Sequence, residues 1–276
     1  MKSRDYRSTI IEINSFYNSD LHQEQTSCGN YLIEWKWNLV DMKIPKIIHQ
    51  INTQGIKSST KHELEAISEL KSNNIDWEYR FYDEQQIFLF LLSNNNQRYM
   101  DAYYSINPNY GAARADYFRY LIIREFGGAY FDVKSYTTTS LNKIIQPDDE
   151  MVIFKWQGHP QLCYESYGIH SEIKKGTEHQ QWNILSTSNN KYINNVVERV
   201  TQNIENYTPE QYGVGMHGVF RTTGPIAYTN AINELNCDDG IHFAGNNAVN
   251  HIIYTKYNHI TNKHYSHLNE PIILRE

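Results

Sequence analysis

Asp116, Arg119, Asp132 and Lys134 are charged residues set into the most apolar stretch of the chain, GAARADYFRYLIIREFGGAYFDVKSY from Gly111 to Tyr136. A charge in such a run is costly to bury unless it is paired or meets a ligand. Residues 112–126 are predicted helical, because their apolar side chains cover so much of the circumference that both sides must be largely buried. Asp116 and Arg119 are three residues apart, so they project from one face about a turn apart and can present a carboxylate and a guanidinium side by side. Gly127 and Gly128 supply the left-handed conformation that closes a helix. Residues 129–133, rich in aromatic and β-branched side chains, are predicted to be a buried strand, with Asp132 where that strand runs out into a loop. The crevice beyond the carboxyl ends of strands is the usual binding site of an open α/β sheet, which makes Asp132 and its neighbour Lys134 site candidates on geometry alone. Taken singly, Asp116 and Arg119 read equally well as a structural ion pair, and Asp132 as a loop-stabilising carboxylate.

Taken together, the pattern is more specific. R-x-D-x-x-R-Y, from Arg114 to Tyr120, followed by G-G-x-Y-x-D, from Gly127 to Asp132, resembles the sugar-donor-binding segment of glycosyltransferases with a DXD motif, particularly family 32 and the yeast Golgi mannosyltransferases. More distantly it is similar to the glucosylating domains of large clostridial toxins. Two further segments share the resemblance: Ile44 to Gln50, which matches an opening strand I-P-K-x-I-H-Q, and Thr222 to Pro225, which matches a T-G-P segment.

The resemblance implies a GT-A fold, a UDP- or GDP-sugar donor, a glycan or other hydroxyl acceptor and retention at the anomeric carbon. It implies donor contacts at His49, Gln50, Asp116, Arg119, Tyr130 and Asp132, with Arg114 supporting Asp116 and Arg119 from behind. Asp132, as the first acid of the motif, would also meet a Mn2+ or Mg2+ ion, and His264 near the C-terminus is a second metal candidate. Two departures matter. Asn52 stands where the family has a tryptophan after its first strand, and Lys134 stands where the second acid would ligate the metal. An ammonium cannot ligate a cation, so either Asp132 and a C-terminal group such as His264 hold the metal, or Lys134 itself neutralises the diphosphate.

The remaining elements must carry that segment. A continuous apolar strand is expected after Pro45, then an amphipathic helix at 61–73 with Leu64, Ile67 and Leu70 inward, then an alternating strand at 77–82. Strand, helix, strand implies a right-handed parallel crossover and a Rossmann-like α/β layer, to which the Asp132 strand is added later. Helices are expected at 84–92, 97–104, 180–186, 193–204 and 226–235, a turn into the last of these at 221–225, and a strand at 151–155. Taken alone, His49 reads more readily as a core histidine than as a ligand contact.

The chain has 276 residues and a formal net charge of −6. No Pro/Gly/Ser-rich linker divides it, so the expectation is an N-terminal extension over 1–43 and a single α/β domain over 44–276. The acidic balance offers no footprint for nucleic acid. No apolar run is long enough for a signal peptide or membrane span. The three cysteines, Cys28, Cys163 and Cys237, fit neither a disulfide framework nor a zinc site. A reducing cytoplasm is the expected setting, that of a bacterium or of a virus-infected cell given the weight of Asn and Ile. The expectation is a retaining hexosyltransferase. The competing readings are a catalytically inactive relative that binds nucleotide or sugar, and a metal-dependent phosphoryl-transfer enzyme that uses Asp132.

Overall fold

The strand, helix and strand that open the domain are where its sheet begins. The computed structural model describes residues 42–161, 166–255 and 265–275, all within one compact unit, Val40–Glu276. His264, Cys28, Cys163 and nearly all of the expected extension lie outside the described residues. In chain order the elements are β1 (Ile47–Ile51), α1 (Lys61–Ser72), β2 (Glu78–Tyr82), α2 (Glu84–Asn94), α3 (Gln97–Ser105), α4 (Gly111–Phe126), β3 (Gly128–Phe131) and β4 (Ser135–Thr137). Then follow β5 (Met151–Lys155), β6 (Asn183–Ser186), α5 (Lys191–Glu205), α6 (Pro209–Tyr212), α7 (Gly215–Thr222), α8 (Pro225–Glu234), β7 (Ile241–Asn246) and β8 (Ile252–Tyr254).

Six strands form one mixed sheet in the order β2-β1-β3-β6-β5-β7. β1 runs parallel to both β2 and β3, while β6 runs antiparallel to β3 and β5. Helices flank the sheet, as the expected α/β class requires. β1, β3 and β5 are buried on both faces, and this is why they read as continuous apolar runs. Along β3, Tyr130 enters one core with Phe118, Tyr120 and Ile184, while Ala129 and Phe131 enter the other with Ile48, Leu70 and Trp182. Each large side chain taken wholly out of water stabilises the fold by about 1.5–3 kcal/mol.

α4 is enclosed nearly all round: seven consecutive residues from Tyr117 to Ile123 are buried. Gly127 ends it with φ 65°, and Gly128 opens β3 with φ 97°. A Cβ on Gly128 would collide with the Ile47 carbonyl oxygen, and one on Gly127 would fall 2.6 Å from the Ser188 nitrogen. Only glycine lets the chain turn from helix to strand against β1 in so little space.

The structure corrects three expectations. Leu64 is 44% exposed and points outward; α1 buries Ala66, Ile67 and Leu70 instead. The segment 180–186 is not a helix, since its second half is β6. Periodicity cannot separate a short apolar run of this kind from a buried helix turn. The open edge of β3 decides it, because its backbone groups need partners. Arg221 and Thr222 end a helix of their own, α7, where only a turn was expected. Among the described residues no helix is long and apolar enough to cross a membrane.

Candidate functional site

Asp132 is the first residue beyond β3, and its backbone is held on both sides. Its N–H donates to the Trp182 carbonyl (2.9 Å), and its carbonyl accepts from the Ser135 N–H (2.8 Å) and from Gln50 Nε2 (3.1 Å). The Ser135 bond closes a tight turn through Val133 and Lys134. Lys134 therefore reaches the cavity described below from a turn, not from the extended chain that its spacing to Asp132 suggests.

Around Asp132 the charged side chains form one unit. Arg119 Nη2 lies 3.0 Å from Asp116 Oδ1 and 3.2 Å from Asp132 Oδ1. Nη1 donates to the carbonyl and to Oε1 of Gln181, both at 2.8 Å, and Nε donates to the Ala115 carbonyl at 3.3 Å. Nε and Nη1 are thus engaged by hydrogen bonds, while Nη2 meets the two carboxylates as an ion pair. The guanidinium also sits 4.5 Å from the centre of the Tyr130 ring, and the Tyr130 hydroxyl donates to Asp132 Oδ1 at 2.7 Å.

Exposure divides the two carboxylates. The Asp116 side chain is 5% exposed and that of Asp132 is 23%. Asp116 pairs with Arg119 and accepts from Gln181 Nε2 (3.1 Å) and Thr223 Oγ1 (3.2 Å). Burial raises its pKa, against the pull of Arg119 and these donors. Burial likewise opposes the charge on Arg119, yet Tyr130, Asp132 and Asp116 together hold its pKa above the ordinary guanidinium value. Asp132 Oδ1 is taken by Tyr130 and Arg119, while Oδ2 has no hydrogen-bond partner among the described residues. Oδ2 is thus the acceptor left for a ligand.

Asp116, Arg119, Asp132 and Lys134 line a cavity of about 720 Å³ together with Trp156, Trp182 and Tyr254. The antiparallel pair β4–β8 sets Ser135 against Tyr254, and the Lys134 ammonium rests 4.7 Å from the Tyr254 ring centre. Trp182 and Tyr254 have ring centres 4.7 Å apart. The result is a carboxylate and an ammonium beside an aromatic wall, which suits a polar ligand with flat or CH-rich faces. A hollow of about 670 Å³ elsewhere, beside Arg199, Arg221 and Asn230, lacks both site carboxylates.

The other residues expected at the site are placed differently. His49 is fully buried, stacked between Tyr82 and Phe126, with Nδ1 3.0 Å from the Tyr82 hydroxyl and Nε2 2.9 Å from the Gly127 carbonyl. Burial lowers its pKa to about 4, so it is a neutral core histidine. Gln50 is buried too, accepting from the Tyr79 hydroxyl while it donates to Asp132, so it positions the site backbone without lining the cavity. Tyr130 is 1% exposed and acts through Asp132. Arg114 does not support Asp116 and Arg119. Two residues from Asp116, it leaves the helix on another side, where it binds the Ile106 carbonyl (2.9 and 3.0 Å) and Glu84 (3.4 Å).

Among the described residues, no cluster of three His, Cys, Asp or Glu side chains could hold a metal ion. Lys134 occupies the place of the second acid, and the described donors do not make a complete ligand set for Mn2+ or Mg2+.

The segment that carries these groups has recognisable relatives. Residues 60–150 match the glycosyltransferase sugar-binding region containing DXD motif. That sugar-binding region includes Asp116, Arg119, Asp132 and Lys134. The chain is 34% identical over 92 residues to an uncharacterized glycosyltransferase, L373, of Acanthamoeba polyphaga mimivirus, a stretch covering 33% of this chain and 35% of that protein. It thus spans about a third of the curated relative it matches. Among solved structures, the PaToxG glycosyltransferase shares the fold, with a TM-score of 0.51 over 70% of each chain at 16% identity. The matched segment ends before β6, so Gln181, Trp182, Thr223 and Tyr254 join the site from outside it.

Proposed function

We propose that the chain is a retaining glycosyltransferase that moves a hexose from a UDP- or GDP-sugar to a hydroxyl of a glycan or other acceptor. The observation that carries this reading is the Asp116–Arg119–Asp132 unit, which leaves one carboxylate oxygen of Asp132 without a hydrogen-bond partner among the described residues at the wall of a sugar-sized cavity, in a segment that matches a glycosyltransferase sugar-binding region.

In such a transfer the bond from the anomeric carbon to the diphosphate oxygen breaks, leaving its electron pair on phosphate. A bond to the acceptor oxygen forms on the same face, and the hydroxyl proton passes to the departing phosphate. The sugar gains oxocarbenium character while negative charge grows on the leaving group, so fixed groups of opposite sign lower the barrier. Asp132 serves the first role through its free oxygen, by accepting sugar hydroxyls and facing the developing positive charge. Lys134 serves the second. Arg119, held by Gln181 through Nη1 and paired with both carboxylates through Nη2, is a positioning residue for Asp132; Asp116 in turn fixes Arg119.

Incubation with a panel of UDP- and GDP-sugars tests the reading, because a transferase slowly hydrolyses its donor even without acceptor. Release of free nucleotide from one of them supports it. Binding without release would favour an inactive donor-binding protein, and neither binding nor release would overturn both.

A further inference from the structure

The cavity has a histidine–carboxylate pair that the chemistry above leaves unused. His170 and Glu178 both line it. His170 Nε2 lies 2.9 Å from Glu178 Oε2, and Trp156 Nε1 donates to Glu178 Oε1 at 2.8 Å. The Glu178 side chain is only 9% exposed, so a buried carboxylate is bonded at both oxygens by the cavity's own wall. Gly168 draws the chain tightly around this arrangement. Its φ is +70°, and a Cβ there would fall 2.7 Å from Trp156 Cδ1 and 2.9 Å from Glu178 Cβ. The Glu178 N–H closes the loop on the Gly168 carbonyl at 2.9 Å. From α7, Phe220 sets its ring edge-on to the imidazole, with centres 5.6 Å apart.

A carboxylate bonded to Nε2 fixes the proton there, and the hydrogen bond to Glu178 raises the pKa of His170 against the effect of burial. Glu172 also favours the charged ring, although Arg221 pairs with that carboxylate at 2.7 Å. Facing the ring from α7 are the uncharged Phe220 and, beyond it, His217. Elsewhere the cavity presents Asp116, Arg119, Asp132 and Lys134. Nδ1 has no hydrogen-bond partner among the described residues. A protonated imidazole offers donors only, and a donor-only cation in a polar cavity selects an anionic ligand.

We propose that His170, held by Glu178, binds the phosphate oxygens of a nucleoside diphosphate, so that the cavity grips the donor's anionic part at His170 and Lys134 and its sugar at Asp132. This rests on the reading of the cavity as a glycosyl-donor site and adds to it a phosphate-binding residue from outside the sugar-binding region. Calorimetric titration of the full chain with UDP, GDP, uridine and guanosine tests it. His170→Gln is expected to weaken binding of the diphosphate that wild type prefers by about tenfold or more, the scale of one charge-assisted hydrogen bond. Binding of the parent nucleoside should not change. His170→Arg should recover part of the loss, since it restores a cation. Glu178→Gln should weaken diphosphate binding relative to wild type more at about pH 8 than at about pH 6, because the imidazole then keeps its proton only at the lower pH. A His170→Gln protein that is folded by circular dichroism and binds UDP or GDP as tightly as wild type would overturn this inference and leave the proposed function standing. A wild-type protein that binds neither diphosphate would overturn both.

Discussion

Arg119 holds Asp132 by a 3.2 Å ion-pair contact from Nη2 to Oδ1, while the same nitrogen pairs with Asp116 and Nη1 and Nε donate to Gln181 and Ala115. The guanidinium is therefore a jig for the carboxylate. Asp132 keeps Oδ2 for a ligand, and the Tyr130 hydroxyl fixes the other oxygen from a second direction. Substitutions at Arg119 and at Asp132 should accordingly fail in different ways.

Asp132→Asn is expected to abolish transfer, with a loss on the order of 100-fold or more as for other fixed transition-state groups. Its melting temperature should stay close to wild type, because a partly exposed carboxylate is changed and no apolar core group is lost. Parallel activity and thermal-melt measurements check this. Near-normal turnover, or a variant that simply unfolds, would count against the assignment.

Arg119→Lys keeps the charge but loses the planar fork that donates to Gln181 and Ala115 while pairing with both carboxylates. Unsatisfied buried acceptors cost about 1–3 kcal/mol, so both stability and activity should fall, as read by urea denaturation and donor hydrolysis. A harmless Arg119→Lys would show that the forked contacts contribute little.

Lys134 stands where a metal-ligating acid is expected, and its ammonium is proposed to neutralise part of the leaving diphosphate. Wild-type activity should then survive EDTA at least in part, and Lys134→Ala should lose about 2–4 kcal/mol of transition-state stabilisation. Complete loss in EDTA that Mn2+ restores, together with an active Lys134→Ala, would remove Lys134 from the mechanism.

His49 makes stability depend on pH. Burial depresses its pKa from 6.5 to about 4, so the unfolded chain binds the proton first. Its contribution is complete above the unfolded value and is lost as pH falls from 6.5 through about 4. At about 1.4 kcal/mol per pKa unit the loss is on the order of 3 kcal/mol. Urea denaturation at several pH values across that window should show stability falling with acid, and a folded His49→Gln variant should flatten the trend. An unchanged slope in that variant would mean that other groups set it.

How much of this was legible in the sequence depends on distance along the chain. Asp116 and Arg119 could be placed together because a helix fixes neighbours three residues apart, and Asp132 because two glycines and an apolar run mark a strand end. The groups that complete the site come from afar. Gln181 is 65 residues from Asp116 and Thr223 is 107, and they meet it only after β6 joins β3 and α7 leads into α8. No local period encodes such a meeting. Arg114 and His49 went astray for the complementary reason. The segments containing them resemble a family pattern, yet their side chains turn into the core, one onto the Ile106 carbonyl and the other between Tyr82 and Phe126. Trp182 and Tyr254 carried no signal beyond aromatic character, and their pairing depends on β4–β8 contact.

The most direct measurement is release of free nucleotide from UDP- and GDP-sugars by wild type beside Asp132→Asn, both shown to be folded. The account predicts release from at least one donor by wild type and none above background by Asp132→Asn. Equal release by the two proteins, or none by wild type from any donor, would contradict it.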